Sequence, residues 1–318
     1  MKFLLFLSLI LISFGLGGFW FYQNIGPVSA NKNFQDFLVT KGQSAASVAT
    51  KLQNAGLIKN ALVFRIYIRA TGQASKLQTG EFRLTPSMSL FQIVDQLQKG
   101  PVEIWVTIPE GLRREEIAQK FATALEKDQK FVAEFLENSK GEEGYLFPDT
   151  YLFPKDVTAS AIVKKMLANF DAKTDQLKLT KDQIILASIL ERETKTDTER
   201  PIVAGILMNR IEAGMPLQVD ASVQYAVANV KCQMSNVKCS EWWPTLLRED
   251  LKIDSKFNTY KFQGLPPSPI SNPGISSITA AANPSKNDYF YYIHDTRGQI
   301  YYAKTLDEHN NNVAKYLR

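Results

Sequence analysis

The sequence predicts an α+β protein in three parts: a single N-terminal transmembrane helix, a small α+β subdomain, and a larger, mostly helical α+β domain. Three observations predict it. After Lys2, the run from Phe3 to Tyr22 carries no charged residue and is long enough to cross a bilayer as a helix. From Val39 to about Val106 an extended stretch, a polar turn and a short amphipathic helix recur. Beyond residue 158 helical spacing dominates, until two short β-type runs form a hairpin near the C-terminus. The boundaries are 1–30 for the anchor and linker, 31–105 for the small subdomain and 106–318 for the main domain.

The composition narrows the function classes. A chain of 318 residues, 45% hydrophobic and 22% charged, can bury a core in more than one unit. The net charge of +5 is spread along the chain rather than clustered, which argues against nucleic acid as a partner. Two Cys and two His are too few for a typical structural zinc site, and no cofactor or metal is expected.

At the N-terminus Trp20 and Tyr22 stand like interfacial anchors at the outer end of the apolar run. With Lys2 retained on the cytoplasmic side, the rest of the chain lies outside the cytoplasm, on a single-pass protein of the cytoplasmic membrane. Val28-Ser29-Ala30 also fits a cleaved signal peptide, and both readings export the chain. In that compartment Cys232 and Cys239 are spaced for a local disulfide, although two free thiols fit the same sequence.

The recurring unit appears first with Val39, Gly42 and Ser44 before Val48, Ala49 and Leu52. It appears again with Leu84, Ser87 and Ser89 before Ile93, Val94 and Leu97. A third copy begins at Val106, with Gly111 before Ile117, Ala118 and Phe121. Leu62 to Arg69 is a mixed apolar run, and Gly80 to Leu84 reads as a short strand. The spacing resembles LysM-like sugar-polymer-binding modules, built on a βααβ unit, with residues 106–140 as a further LysM-like portion. A small packing or spacer domain fits the same pattern.

In the main domain Glu103 to Ile108 reads as a strand, followed by helices around Arg114 to Leu125 and Gln129 to Asn138. The segment Tyr145 to Pro154 is dense in aromatic rings and holds two prolines, so it is irregular or a broken strand. Its Asp149 and Tyr151 suit a sugar cleft, and core packing suits the same rings. Helices follow over Thr158 to Phe170, Lys181 to Thr194, N-capped by Thr180, and Thr198 to Ala213. Within the third, Gly205 permits a close backbone approach. Gln218, Asp220, Ser222 and Gln224 alternate as a polar set that lines a groove or faces water. The proline-rich stretch Gly264 to Gly274 makes an ordered loop. Ile275 to Ala282 is a helix, Tyr289 to His294 and Ile300 to Ala303 a hairpin, and Thr305 to Leu317 a closing helix.

The helix from Lys181 to Thr194 carries the candidate chemistry. Leu186, Ile189, Leu190 and Glu193 follow the spacing of one helical face, which puts Glu193 on the apolar side. Glu191 falls on a different strip, with Ile184, Ala187 and Ser188. Burial raises a carboxyl pKa, and a general acid is made this way. A helix end with two solvated acids fits the same spacing.

In order along the chain stand Glu143-Gly144-Tyr145-Leu146-Phe147-Pro148-Asp149-Thr150, Ala187-Ser188-Ile189-Leu190-Glu191-Arg192-Glu193-Thr194, Asn209-Arg210, Leu217-Gln218-Val219-Asp220, Asn258-Thr259-Tyr260, the Gly264 to Gly274 loop and His309-Asn310. In this order they resemble the endolytic murein transglycosylase family, the MltG or YceG-like proteins, over nearly the whole chain. The stretch from Cys232 to Trp243 departs most from that pattern. The resemblance implies an N-terminal membrane helix, a LysM-like subdomain and a catalytic domain outside the cytoplasmic membrane. It also implies glycan strands of peptidoglycan as substrate, cut between N-acetylmuramic acid and N-acetylglucosamine, and proximity to peptidoglycan synthases. Its essential acid maps onto Glu193.

A hydrolase of this bond normally needs a second carboxylate. A lytic transglycosylase uses one group in turn as acid and base, leaving a 1,6-anhydro end. No second catalytic carboxylate is evident in the sequence, which favours the anhydro product. Gln218, Asp220, Asn258 and Tyr260 are candidates to orient the sugar, with Asn209, Asp149 and Tyr151 as further binding residues. Glu191 either orients Glu193 or holds the helix end. A hydrolytic muramidase and a non-catalytic glycan-binding scaffold are the alternatives.

Overall fold

The computed structural model describes residues 2–40, 42–234 and 241–317. The chain divides into two units, Met1–Trp105 with Leu152–Val157, and Val106–Tyr151 with Thr158–Arg318. Cys239 and the side chain of Cys232, spaced in sequence for a disulfide, lie outside the described residues.

The first unit contains helix α1 (Lys2–Ile25), strand β1 (Gln35–Val39), helices α2 (Ala45–Asn54) and α3 (Ala61–Ala70), strand β2 (Gly80–Leu84), helix α4 (Leu90–Lys99) and the start of strand β3 (Glu103–Thr107). Among the described residues no helix is long and apolar enough to cross a membrane. Strands β1 and β2 pair antiparallel with Phe37 opposite Phe82. Their period-two alternation buries Phe37, Val39, Phe82 and Leu84 in one core with Leu52 of α2, Phe64 of α3 and Ile93 of α4. The mixed run Leu62 to Arg69 is the interior of α3. Asn60 caps that helix by accepting from the N–H groups of Leu62 and Val63. Its apolar residues split between a buried set, Val63, Phe64 and Ile68, and an exposed pair, Leu62 and Ile66, which blurs the periodicity.

The apolar triads expected of the three repeated helices are all buried: Val48, Ala49 and Leu52, then Ile93, Val94 and Leu97, then Ile117, Ala118 and Phe121. Gly42 and Gly111 hold the left-handed turns of the first and third copies, with φ of 81° and 78°. The second copy turns without one. There Ser87 shares a 2.9 Å hydroxyl bond with Thr85.

The second unit continues β3 into helices α5 (Arg114–Ala124) and α6 (Gln129–Asn138). Strand β4 (Thr150–Pro154) pairs with β3, and the division between the units falls within both strands. Helices α7 (Ala159–Thr174), α8 (Lys181–Glu193), α9 (Arg200–Glu212) and α10 (Asp220–Met234) follow, then α11 (Ile275–Ala282), the hairpin β5 (Tyr291–His294) and β6 (Ile300–Ala303), and α12 (Leu306–Tyr316).

Helix α8 is the axis of this unit. Thr180 caps it in a reciprocal box: its Oγ1 accepts from Gln183 N at 3.3 Å, and Gln183 Oε1 accepts from Thr180 N at 2.9 Å. Every residue from Ile184 to Leu190 is buried, so α8 is enclosed on all sides rather than amphipathic. The one-sided face expected from its spacing is thus not what separates Glu191 from Glu193. Burial of five Ile and Leu side chains in this short stretch stabilises the unit by about 1.5–3 kcal/mol each. On α9, a Cβ added to Gly205 would stand 2.0 Å from the Ser285 carbonyl oxygen. The close approach expected there is therefore to the protein's own backbone.

Candidate active site

Glu193 is the last residue of α8, where the enclosed helix reaches the surface. Thr194 ends the helix, its N–H and hydroxyl both donating to the Leu190 carbonyl at 3.0 and 2.6 Å. The Glu193 carboxyl forms part of the wall of a cleft of about 290 Å³ together with Arg210, Gln218, Asp220, Tyr260 and Tyr292. Burial raises its pKa above the usual carboxylate range, and the negative charge of Asp220 adds to that. The Tyr292 hydroxyl, donating to Oε2 at 2.9 Å, and the Ala221 N–H work in the opposite direction. The group is thus biased towards its protonated form while keeping two donors ready for the ionised one.

Three of the residues singled out in the sequence share this cleft with Glu193. Asp220 is exposed and accepts from the Tyr260 hydroxyl at 2.6 Å. Gln218 accepts from Arg210 Nη2 at 2.6 Å and holds a left-handed backbone with φ of 55°. The cleft therefore contains a second carboxylate, Asp220, which the sequence alone did not make evident as a catalytic group.

Asn258 stands one shell back. It is fully buried, donates to the carbonyls of Leu251 and Ile253 at 2.9 Å each, and accepts from Tyr260 N at 3.0 Å. Its place is to hold Tyr260. Asn209 likewise donates at 2.9 Å to the carbonyls of Asn287 and Tyr289, tying the approach to β5 onto α9. Glu191 faces away from the cleft. It pairs with Arg200 at 3.4 Å, both side chains almost wholly buried, and accepts from Gly274 N at 2.9 Å. Of the two roles open to it, the structure supports holding: it fastens the end of the proline loop to α8. That loop is further secured by Ile270 N donating to Ser188 Oγ and Ser271 Oγ donating to the Ser188 carbonyl, each at 3.0 Å.

Asp149 and Tyr151 are not among the lining residues. Tyr151 is buried and donates to the Phe147 carbonyl at 2.6 Å. Asp149 accepts from Asn169 at 3.0 Å, which lowers its pKa. Both residues accept from Asn169 and so brace α7, away from the Glu193 cleft. The alternating polar set also breaks up. Because α10 starts at Asp220, the period changes from 2 to 3.6 within it. Ser222 turns inward to share a 2.8 Å bond with Thr259, and Gln224 donates to the Pro244 carbonyl at 2.9 Å.

Sequence reasoning missed Tyr292, Tyr291, Arg210 and His309 as cleft residues. Two of them sat inside recognised motifs, Asn209-Arg210 and His309-Asn310. Tyr292 carried no signal beyond being a tyrosine in an expected strand. Arg210 is locked by donating to the carbonyls of Pro216 and Phe290 at 3.0 and 3.2 Å. Burial lowers its pKa, and it remains a cation. His309 stacks on Tyr291 with ring centroids 5.2 Å apart, and burial lowers its pKa, with Arg210 adding to the effect.

The chain matches proteins of known family over almost its whole length. The YceG-like family model covers residues 37–315. The endolytic murein transglycosylase of Bacillus subtilis strain 168 is 31% identical over 340 residues, covering 95% of this chain and 91% of that protein. That of Streptococcus pneumoniae serotype 2 strain D39 is 29% identical over 367 residues, covering 99% of this chain. This chain spans 64% of the length of that streptococcal relative. A crystal structure of a yceG-like protein from Listeria monocytogenes is 30% identical, with a TM-score of 0.53, covering 88% of this chain and 99% of the other. The order of motifs, the extent of the family match and the similarity to a solved member converge: this chain belongs to the YceG-like family.

Proposed function

We propose that the protein is a lytic transglycosylase of peptidoglycan glycan strands, with Glu193 as the acid and base. The observation that carries this is a carboxyl with a raised pKa, donated to by Tyr292 and opening onto a cleft. In the proposed reaction, protonated Glu193 gives its proton to the glycosidic oxygen as the bond to the anomeric carbon of N-acetylmuramic acid breaks. The leaving sugar departs with that proton. The oxocarbenium-like centre is then attacked by the same sugar's 6-hydroxyl oxygen, whose proton passes to the Glu193 carboxylate. A 1,6-anhydro end is formed, no water is consumed, and Glu193 regains its starting state. Tyr292 and the Ala221 N–H hold the carboxylate between the two transfers. A positioned acid-base group contributes roughly 10²–10⁴-fold, and orientation in the cleft supplies more.

Asp220 supports a second reading. A carboxylate across the same cleft is what a hydrolytic muramidase needs to activate water, and its product would be a reducing end. The Tyr260 hydroxyl, donating to Asp220 Oδ1 at 2.6 Å, occupies an oxygen that a water-activating base would need free, which favours the anhydro route. Mass spectrometry of strands digested by the wild type distinguishes the two products. Glu193→Gln should remain folded and yield neither. Normal product from that variant refutes the assignment.

In the same proposal α1 tethers the enzyme to the cytoplasmic membrane with the cleft outside. The uncharged apolar run Phe3 to Tyr22 in the sequence supports it. The βααβ order of β1, α2, α3 and β2 supports a LysM-like, glycan-holding role for the first unit. An internal cut made beside peptidoglycan synthases would end growing strands.

A further inference from the structure

We propose that Gln218 reads the acetamido carbonyl of the sugar seated in the cleft, through a side-chain amide whose polarity Arg210 fixes. This inference rests on the glycan-cleaving reading above and names the chemical group that the site selects.

An amide can usually present either end to its surroundings. At Gln218 it cannot. A guanidinium has donors and no acceptor, so the atom 2.6 Å from Arg210 Nη2 must be the amide oxygen. Arg210 has no freedom to release it, since the Pro216 and Phe290 carbonyls take its Nε and Nη1. The Gln218 backbone is pinned as well, with its N–H donating to the Thr259 carbonyl at 3.1 Å in a left-handed conformation unusual for a residue with a side chain. The Nε2 group then has two N–H donors, neither of them with a partner among the described residues, on an exposed residue that lines the cleft with Glu193.

Such a group selects acceptors. On an N-acetylated amino sugar the hydroxyls both donate and accept, whereas the acetamido oxygen only accepts. Removing the acetyl group leaves an ammonium, which carries only donors and meets the Gln218 amide and the Arg210 cation. The cleft should therefore discriminate between N-acetylated and de-N-acetylated strands.

The test uses the full chain in detergent with two glycan preparations of equal length, one fully N-acetylated and one enzymatically de-N-acetylated. The wild type should show a kcat/KM about tenfold higher on the acetylated strand, the scale of one well-made hydrogen bond. Gln218→Glu keeps an oxygen for Arg210 and turns a second oxygen to the cleft, so the preference should reverse. Gln218→Met keeps the length and removes the polarity, so the ratio should fall towards one. If Gln218→Glu does not fold, the Met variant decides alone. A wild-type ratio near one, or a ratio unchanged in a folded variant, overturns this inference while leaving the catalytic assignment standing. Failure of the wild type to cut either strand overturns both.

Discussion

Two carboxyls in the second unit, Glu193 and Glu143, have raised pKa values for the same first reason, burial, and they do different things. Glu143 is pushed to about 8 in an enclosed site. Its Oε1 accepts from Arg114 N at 3.1 Å and from Asn272 Nδ2 at 2.6 Å, while Oε2 is buried with no hydrogen-bond partner. Asn272 also accepts from Gly144 N and Leu146 N at 2.9 Å each, so this acid is the centre of a bracket between the proline loop and the start of the aromatic segment. Glu193 is half-buried at the end of a helix, and its carboxyl meets a cleft. A displaced pKa marks both sites, and access to a substrate separates them.

The comparison can be broken most directly by exchanging the expected losses. Glu193→Gln should reduce anhydro product by at least the roughly 10²–10⁴-fold typical of an acid-base group, with no loss of melting temperature. Glu143→Ala should do the opposite. It strands the Arg114 N–H and the Asn272 amide in a closed site, which costs about 3 kcal/mol in denaturant unfolding, while the folded fraction should keep the wild-type pH profile. A shift of that profile would mean that Glu143 takes part in the chemistry.

Tyr292→Phe sharpens the comparison from the cleft side. Removing a donor that favours the ionised carboxyl raises the Glu193 pKa further, so the alkaline limb of kcat/KM should move to higher pH. A loss of about tenfold in kcat should accompany it, since the carboxylate loses support between the two proton transfers. An unmoved limb would remove Tyr292 from the proposed mechanism.

The smallest effect is expected from Glu143→Gln, which fixes the neutral form. A carboxyl with its folded pKa near 8 and an unfolded value near 4.5 stabilises the fold fully below about pH 4.5, and that contribution is lost as pH rises to about 8. The Gln variant has no such dependence. Its melting temperature should gain on the wild type between about pH 5 and pH 8, and the difference should then level off. A constant difference over that range would show that Glu143 is already ionised in the folded protein and that its pKa is not raised.

What was legible in the sequence was local. Thr180, Gln183 and the apolar run behind them define α8 within one stretch of chain, and the motif order carried the family. Glu193 was selected for a physical reason that the structure changes: α8 is buried all round, and what distinguishes its two acids is that Glu191 meets Arg200 and Gly274 N while Glu193 meets the cleft. Gln218, Asp220 and Tyr260 were named without any means of placing them together, because their meeting depends on the Thr259 bonds to the start of α10. The Tyr292 bond to Glu193 joins residues 99 positions apart. No periodicity encodes such a distance. Asp149 and Tyr151 stand outside the Glu193 cleft, and their pattern in sequence, an acid beside aromatic rings, is one that a core uses as readily as a sugar site.

Gln218 also bears on how this protein could change under selection. A left-handed backbone costs a residue other than glycine or asparagine roughly 1–2 kcal/mol, and the Gln218 φ of 55° lies within that region. Glycine or asparagine would occupy the position more comfortably. A screen that rewards heat resistance alone would therefore be drawn to residue 218, where glycine would remove the amide proposed to recognise acetylated sugars and asparagine would draw it back by one methylene.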